Sequence, residues 1–220
     1  MARHYCQKCT KPEAACICQY LNPQANSLAV LVLQHPDEAM KAIGTAKLIA
    51  LGLAKSKVLT ALHTLHISEQ EVRSLLSGFS CSAPLLIYPQ VLSDDQPHYV
   101  YDFEKERFTS LALQKRYDSI ILLDGTWRNT RELLHCNSWL KKLPTLNLAN
   151  VGASRYRIRQ AKQAGALATI EAVSHALAVL DASFYAEKLL KPFEKMIEFQ
   201  IAKMGRRVYQ NNYLRDSKND

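Results

Sequence analysis

Ser119-Ile120-Ile121-Leu122-Leu123-Asp124-Gly125-Thr126-Trp127-Arg128 is the stretch whose reading decides the fold. It opens as an apolar, β-branched run of the kind that forms a strand buried on both faces. Asp124 stands where that run stops. A glycine, a threonine suited to an N-cap and a helical pattern through Trp127, Leu133 and Leu134 follow. A carboxylate at the carboxyl end of a buried strand, beside a helix N-terminus, sits where open α/β sheets place their ligands. Capping alone also accounts for Asp124 and Thr126, so position leaves both readings open.

The pattern repeats outward from that stretch. Residues 28–33 read as a second buried strand, which ends at Gln34-His35-Pro36-Asp37-Glu38 and leads into a helix expected over 38–53. Capping again suffices for His35, and the macrodipole for Glu38. Short strands are expected at 57–60, 83–89 and 143–148. A capping box at Ser68 and Glu71 opens a helix that stops at Gly78. Tyr88 reads as a core aromatic. The polar stretch 90–118 suggests one helix over 103–115, and the helix after Asp124 is expected to end near 139–142. Two long helices, broken near Lys191-Pro192, close the chain before a basic tail. Strands alternating with helices predict an α/β fold, a mostly parallel sheet with helices on both faces.

Composition narrows the class. The 220 residues carry 28 Lys+Arg against 20 Asp+Glu, a formal charge of +8. That excess favours a polyanionic partner, although a solubilising surface produces it equally well. No apolar run has the length of a membrane span and the first residues do not read as a signal peptide, so a soluble cytoplasmic protein is expected. Seven glycines form no G-x-G-x-x-G, and there is no G-K-[ST], G-x-S-x-G or H-E-x-x-H.

Two local clusters stand out. Cys6, Cys9, Cys16 and Cys18 lie within residues 1–27, a segment too small to order itself by burial. Four thiolates are the ligands that select tetrahedral zinc, with free or redox-active thiols as the other reading. The second is Arg155-Tyr156-Arg157-Ile158-Arg159. On an extended chain the three guanidiniums share one face and can fork onto phosphates while Tyr156 stays free to stack, the signature of an RNA contact. A solvated basic loop is the plainer alternative.

Taken together, Asp124-Gly125-Thr126-Trp127, His35-Pro36-x-Glu38, Tyr88-Pro89, the Ser154-to-Arg159 segment and Thr169-x-Glu171-Ala172 resemble, in order, the motifs of the DTW-domain family, with Thr45 near a further threonine. The N-terminal cysteines resemble that family's set as well. Alanine stands at 168 where the family has serine.

The resemblance implies a SPOUT-like, knotted fold in which loops near a C-terminal knot hold S-adenosylmethionine. It implies transfer of the 3-amino-3-carboxypropyl group to N3 of a tRNA uridine, taken as position 47 of the variable loop, with tRNA as partner and no membrane. On that reading Asp124 is the catalytic residue, either as the base that takes the N3 proton or as a group that orients the uridine or favours the sulfonium charge. Tyr88, Pro89, Gly125, Thr126, Trp127, Thr169 and Glu171 wall the cofactor, and structural zinc sits on the four cysteines. The division expected is 1–27 for zinc, 28–205 for catalysis and 206–220 for the tail. An RNA methyltransferase, a non-catalytic zinc-containing RNA-binding protein and a thiol redox protein are the alternatives.

Overall fold

The structure is a computed structural model that describes residues 4–41, 43–108, 117–158 and 167–214. In chain order the elements are β1 (Ala29–Gln34), α1 (Pro36–Ala39), α2 (Ala46–Gly52), β2 (Ser56–Thr60), α3 (Glu69–Ser77) and β3 (Pro84–Ile87). They continue as β4 (His98–Asp102), β5 (Arg107–Phe108), β6 (Ser119–Asp124), α4 (Trp127–Cys136), β7 (Thr145–Ala149), α5 (Thr169–Leu180), α6 (Ala186–Met204) and α7 (Arg206–Tyr209). The strands form one sheet in the order β2-β1-β6-β3-β7-β4-β5. Six are mutually parallel, and β5 adds an antiparallel edge through its hairpin with β4.

Alternation along the central strands builds two cores. Val30, Val32, Ile120 and Leu122 face a layer made by α2, α5 and α6, where Ile49, Leu177 and Phe193 are buried. Ala29, Leu31, Leu33 and Ile121 face α3 and α4, meeting Val72, Leu76, Leu133 and Leu134. Helices therefore cover both faces, as the near-continuous apolar strands demand. The cysteine segment joins the first core, since Cys9 and Ile17 are wholly buried in it.

Four local expectations are corrected. The helix over 38–53 is two short ones, separated by turns in which Lys41 N–H donates to Glu38 and Gly44 N–H to Lys41. Where a helix was expected over 103–115, residues 98–108 form the β4–β5 hairpin, and 109–116 lie outside the described residues. The turn is held by Asp102, whose Oδ1 accepts from Glu104 and Lys105 N–H. Helix α4 stops at Cys136 because the buried side chain of Asn137 takes over. Its amide donates to Leu133 and Leu65 carbonyls and its oxygen accepts from Ile67 N–H; a separate 3₁₀ turn spans Ser138–Lys142. Pro192 sits inside α6 without ending it. The real break is Asp181–Tyr185, where the Asp181 carboxylate accepts from Ser183 and from Ser27 ahead of β1. Burial of Leu189, Leu190 and Phe193 around Pro192 offsets the one helical hydrogen bond that proline forfeits.

Candidate active site

Strands β1 and β6 run in register and end together at Gln34 and Asp124. Asp124 is buried there and bound from two sides. Gln34 Nε2 donates to its Oδ2 at 2.8 Å, and Thr169 Oγ1, from the first residue of α5, donates to its Oδ1. The turn that follows is packed too closely for a side chain to enter without a shift, because a Cβ on Gly125 would stand 2.9 Å from the Cβ of Asn129. Thr126 caps α4 as its position predicts, accepting from Asn129 N–H at 3.2 Å. Trp127, at the first helical position, remains 39% exposed.

His35 is buried one residue beyond Gln34 and caps α1. Its Nδ1 accepts from Asp37 N–H and lies 3.2 Å from Asn129 Nδ2, while Nε2 faces Glu132 Oε2 at 3.7 Å. Glu38 pairs with Lys41 at 2.6 Å. Glu171 is nearly closed to solvent, and its two oxygens accept from Ser154 Oγ, Arg155 N–H and Ala168 N–H. It clasps the chain before and after residues 159–166, which are outside the described set.

The C-terminal edge of the sheet carries an apolar rim. Leu62 after β2, Met40 and Ile43 after β1, Trp127 after β6 and Val91 after β3 are all exposed. These four strands are neighbours in the sheet, so the exposed apolar residues follow the ends of adjacent strands.

The four N-terminal cysteines are unbridged, and their sulfurs lie within 4.8 Å of one another. Sγ of Cys6 is 3.6 Å from Cys18 and Cys9 is 3.7 Å from Cys16. Tetrahedral thiolates at about 2.3 Å from a metal stand about 3.8 Å apart, so the set fits such an ion. Backbone N–H groups of Cys9 and Lys8 pull the Cys6 thiol down to about 6, whereas burial and then Cys6 push Cys18 up to about 12. A cation among them would remove that conflict.

A model of the DTW domain matches residues 3–201, cysteine segment included. The chain belongs to the DTW domain family. Among curated relatives, tRNA-uridine aminocarboxypropyltransferase 2 of Drosophila melanogaster is 28% identical over 202 residues, 90% of this chain and 76% of that protein. The proteins of the same name from Macaca fascicularis and Mus musculus are 27% and 26% identical. This chain spans 64% of the length of each of those two. No solved structure matches it.

The DTW signature thus falls at the middle of the sheet's C-terminal edge, where Asp124 meets the Thr169 element 45 residues later. The other expected site residues separate. Tyr88 closes β3 but is buried in the core shared with α3 and α4, and burial pushes its phenol above its ordinary value while Arg131 draws it down. Pro89 is exposed. Of the basic segment, Arg155 forks onto Glu187 and Glu194 of α6 at 2.7 and 2.8 Å. Tyr156 corrects the expectation of a free stacking ring: it is buried edge-on against Phe193, with its hydroxyl on the Ile43 carbonyl. Arg157 is exposed, and Arg159 lies outside the described residues. Sequence reasoning missed Gln34 and Asn129. The signal for Gln34 was a polar side chain ending an otherwise apolar strand, directly before His35.

Proposed function

We propose that this protein transfers the 3-amino-3-carboxypropyl group of S-adenosylmethionine to N3 of a tRNA uridine, in a SPOUT-like fold. The observation that carries the reading is the meeting of Asp124 with Thr169 and Gln34 at the rimmed edge of the sheet, in a chain whose family and named relatives point to that chemistry. The SPOUT-like part is supported by the late strands β6 and β7 inserting between earlier neighbours.

In the reaction N3 attacks Cγ of the donor. The Cγ–S bond breaks with its electron pair going to sulfur, methylthioadenosine leaves, and the N3 proton passes to a base. Asp124 is the base in this reading. Each of its oxygens accepts a scaffold hydrogen bond, which holds the carboxylate in a fixed direction toward the imide N–H. Its burial means that the uridine must reach it inside the edge, and catalytic hydrogen bonds often form only in the complex. Gly125 to Trp127, with Thr169, line the donor's place, and Glu171 keeps the flanking chain closed behind it. Pro89, exposed at the end of the neighbouring strand, completes that wall, with Tyr88 supporting it from the core. Presenting Cγ rather than the methyl carbon is a matter of the donor's pose. Zinc on the four cysteines is structural, and Arg157 and Arg159 carry tRNA phosphates in a cytoplasmic enzyme.

One observation favours a second reading, a zinc-containing RNA-binding protein without catalysis: Asp124 is already satisfied by its own scaffold. Calorimetry separates the two, since only the enzyme binds S-adenosylmethionine saturably. Asp124→Ala should reduce transfer by at least about 100-fold while donor and tRNA still bind; a wild-type rate removes Asp124 as the base. The by-product is to be methylthioadenosine, and S-adenosylhomocysteine would mean a methyltransferase. Nucleoside mass spectrometry of tRNA from cells lacking the protein should show aminocarboxypropyl-uridine lost, and mapping the loss tests variable-loop position 47.

A further inference from the structure

The three strand ends beside Asp124 share one polar layer. In the sheet register Val32 stands opposite Val58 and Leu122, and the next position on that face sets Gln34 opposite Thr60 and Asp124. All three strands therefore change from apolar to polar at the same level, on the face that meets α5. A sheet selected for stability alone would continue the aliphatic pattern, because a buried amide costs free energy unless both of its ends are satisfied.

Here both ends are satisfied, and in a definite sense. Thr60 Oγ1 donates to Gln34 Oε1 at 3.0 Å, which leaves the Gln34 amide nitrogen aimed at Asp124 Oδ2, 2.8 Å away. Against an ionised Asp124 the flipped amide would set one oxygen against another. The carboxylate plane is fixed between Gln34 on one side and Thr169 on the other.

We propose that Gln34 is a positioning residue for the transfer reaction, anchored on its far side by the Thr60 hydroxyl. This rests on the reading of Asp124 given above. Gln34 acts through Asp124: by donating to one carboxylate oxygen while Thr169 donates to the other, it fixes the direction of the group that is to take the imide proton. A displacement of about 1 Å at such a group can lower a rate by about 100-fold.

The test uses the full chain with Gln34→Leu, Gln34→Glu and Thr60→Val. The carbon-13 signal of the Asp124 carboxyl, assigned by its disappearance in Asp124→Asn, is titrated in each protein. Removing an N–H donor from a carboxylate should raise its titration midpoint by about one to two pH units in Gln34→Leu. Thr60→Val should raise it by less, because the donor remains but loses its orientation. In the transfer assay Gln34→Leu should lower kcat by about 10- to 100-fold with the KM for tRNA within about twofold. Gln34→Glu sets a second carboxylate against the first, so its rate should climb with pH across a range where the wild type is flat.

An unmoved Asp124 midpoint in a folded Gln34→Leu protein overturns the proposal. If Gln34→Leu does not fold, Thr60→Val decides in its place, since it deletes one half-buried hydroxyl, and an unchanged midpoint and kcat there overturn it equally. The titration needs no turnover. A wild-type protein that makes no aminocarboxypropyl-uridine, while its Asp124 still responds to Gln34, overturns the transferase reading and supports the coupling. An active wild type with an unresponsive Asp124 overturns the coupling alone.

Discussion

The cysteine cluster and the end of β6 are assembled in opposite ways. Cys6, Cys9, Cys16 and Cys18 fall within one short segment, and turns within it bring their sulfurs within 4.8 Å. The Asp124 site draws Gln34, Asp124 and Thr169 from β1, β6 and α5, which meet only because the sheet order places β6 beside β1. The first arrangement gathers four sulfurs at the spacing that metal ligands take. The second is complete without a ligand, each carboxylate oxygen already bonded. The first should therefore matter most for stability and the second for chemistry.

The sharpest break of that comparison is Cys9→Ser. Cys9 is wholly buried in the core with Ile17, so losing the metal should also loosen the packing of its segment. We expect loss of bound zinc by elemental analysis and a fall in the thermal midpoint of more than about 5 °C, some 2 kcal/mol for a chain of this size. Asp124→Asn should shift the midpoint far less while removing activity. Equal destabilisation by the two substitutions would erase the distinction.

Gly125→Ala comes next, as a steric probe of the distant assembly. Its Cβ would meet the Asn129 Cβ at 2.9 Å and the Thr130 backbone nitrogen at 3.3 Å, in a turn tied to α4. Overpacking of this kind costs about 1–3 kcal/mol, measurable as a shift in the urea midpoint. A neutral result would mean that the turn yields and does not hold Asp124 in place.

The contrast also explains what was legible in the sequence. The cysteine spacing and the apolar strands were, because each is a local pattern: four ligands in one segment, and a run of aliphatic residues. The sheet's parallel, two-faced character followed from those runs. Gln34 was not legible as a partner of Asp124, since nothing local shows that two strands 90 residues apart will be neighbours in register. The basic segment was half legible. Alternation does turn Arg155 and Arg157 outward and Tyr156 and Ile158 inward. But inward here means against Phe193, and outward for Arg155 means onto two glutamates of α6. Spacing fixes which face a side chain shares and not what waits there. The expected break at Pro192 failed for a related reason: packing outweighed one lost hydrogen bond.

That difference within the basic segment predicts a smaller effect. Arg157→Ala should weaken tRNA binding and lower the salt dependence by about one counterion, as loss of a phosphate contact does. Arg155→Ala should leave tRNA affinity unchanged and cost about 1 kcal/mol or less of stability, because its ion pairs are largely solvent-exposed. Filter binding across a salt series checks both, and equal losses would return Arg155 to the RNA surface.

The smallest expected effect lies one turn beyond Glu171 on α5. His175 packs its ring edge-on against Phe103, with centroids 5.0 Å apart. Burial lowers its proton affinity below the ordinary value of 6.5; Glu171 opposes that shift and Arg155 adds to it. The unfolded chain therefore takes up a proton at a higher pH than the folded one. The stability tied to the neutral ring is fully present above about pH 6.5 and is lost as the pH falls from there toward the lowered folded value. His175→Phe keeps an aromatic ring beside Phe103 and removes the proton. Urea midpoints should then decline less between pH 7 and pH 5 than in the wild type, while the two proteins differ little at pH 8. Some decline should remain, because burial lowers His98 in the same direction. Identical pH profiles for variant and wild type would mean that α5 opens enough to hydrate His175. The helix that carries Thr169 and Glu171 would then be looser than the clasp around Asp124 requires.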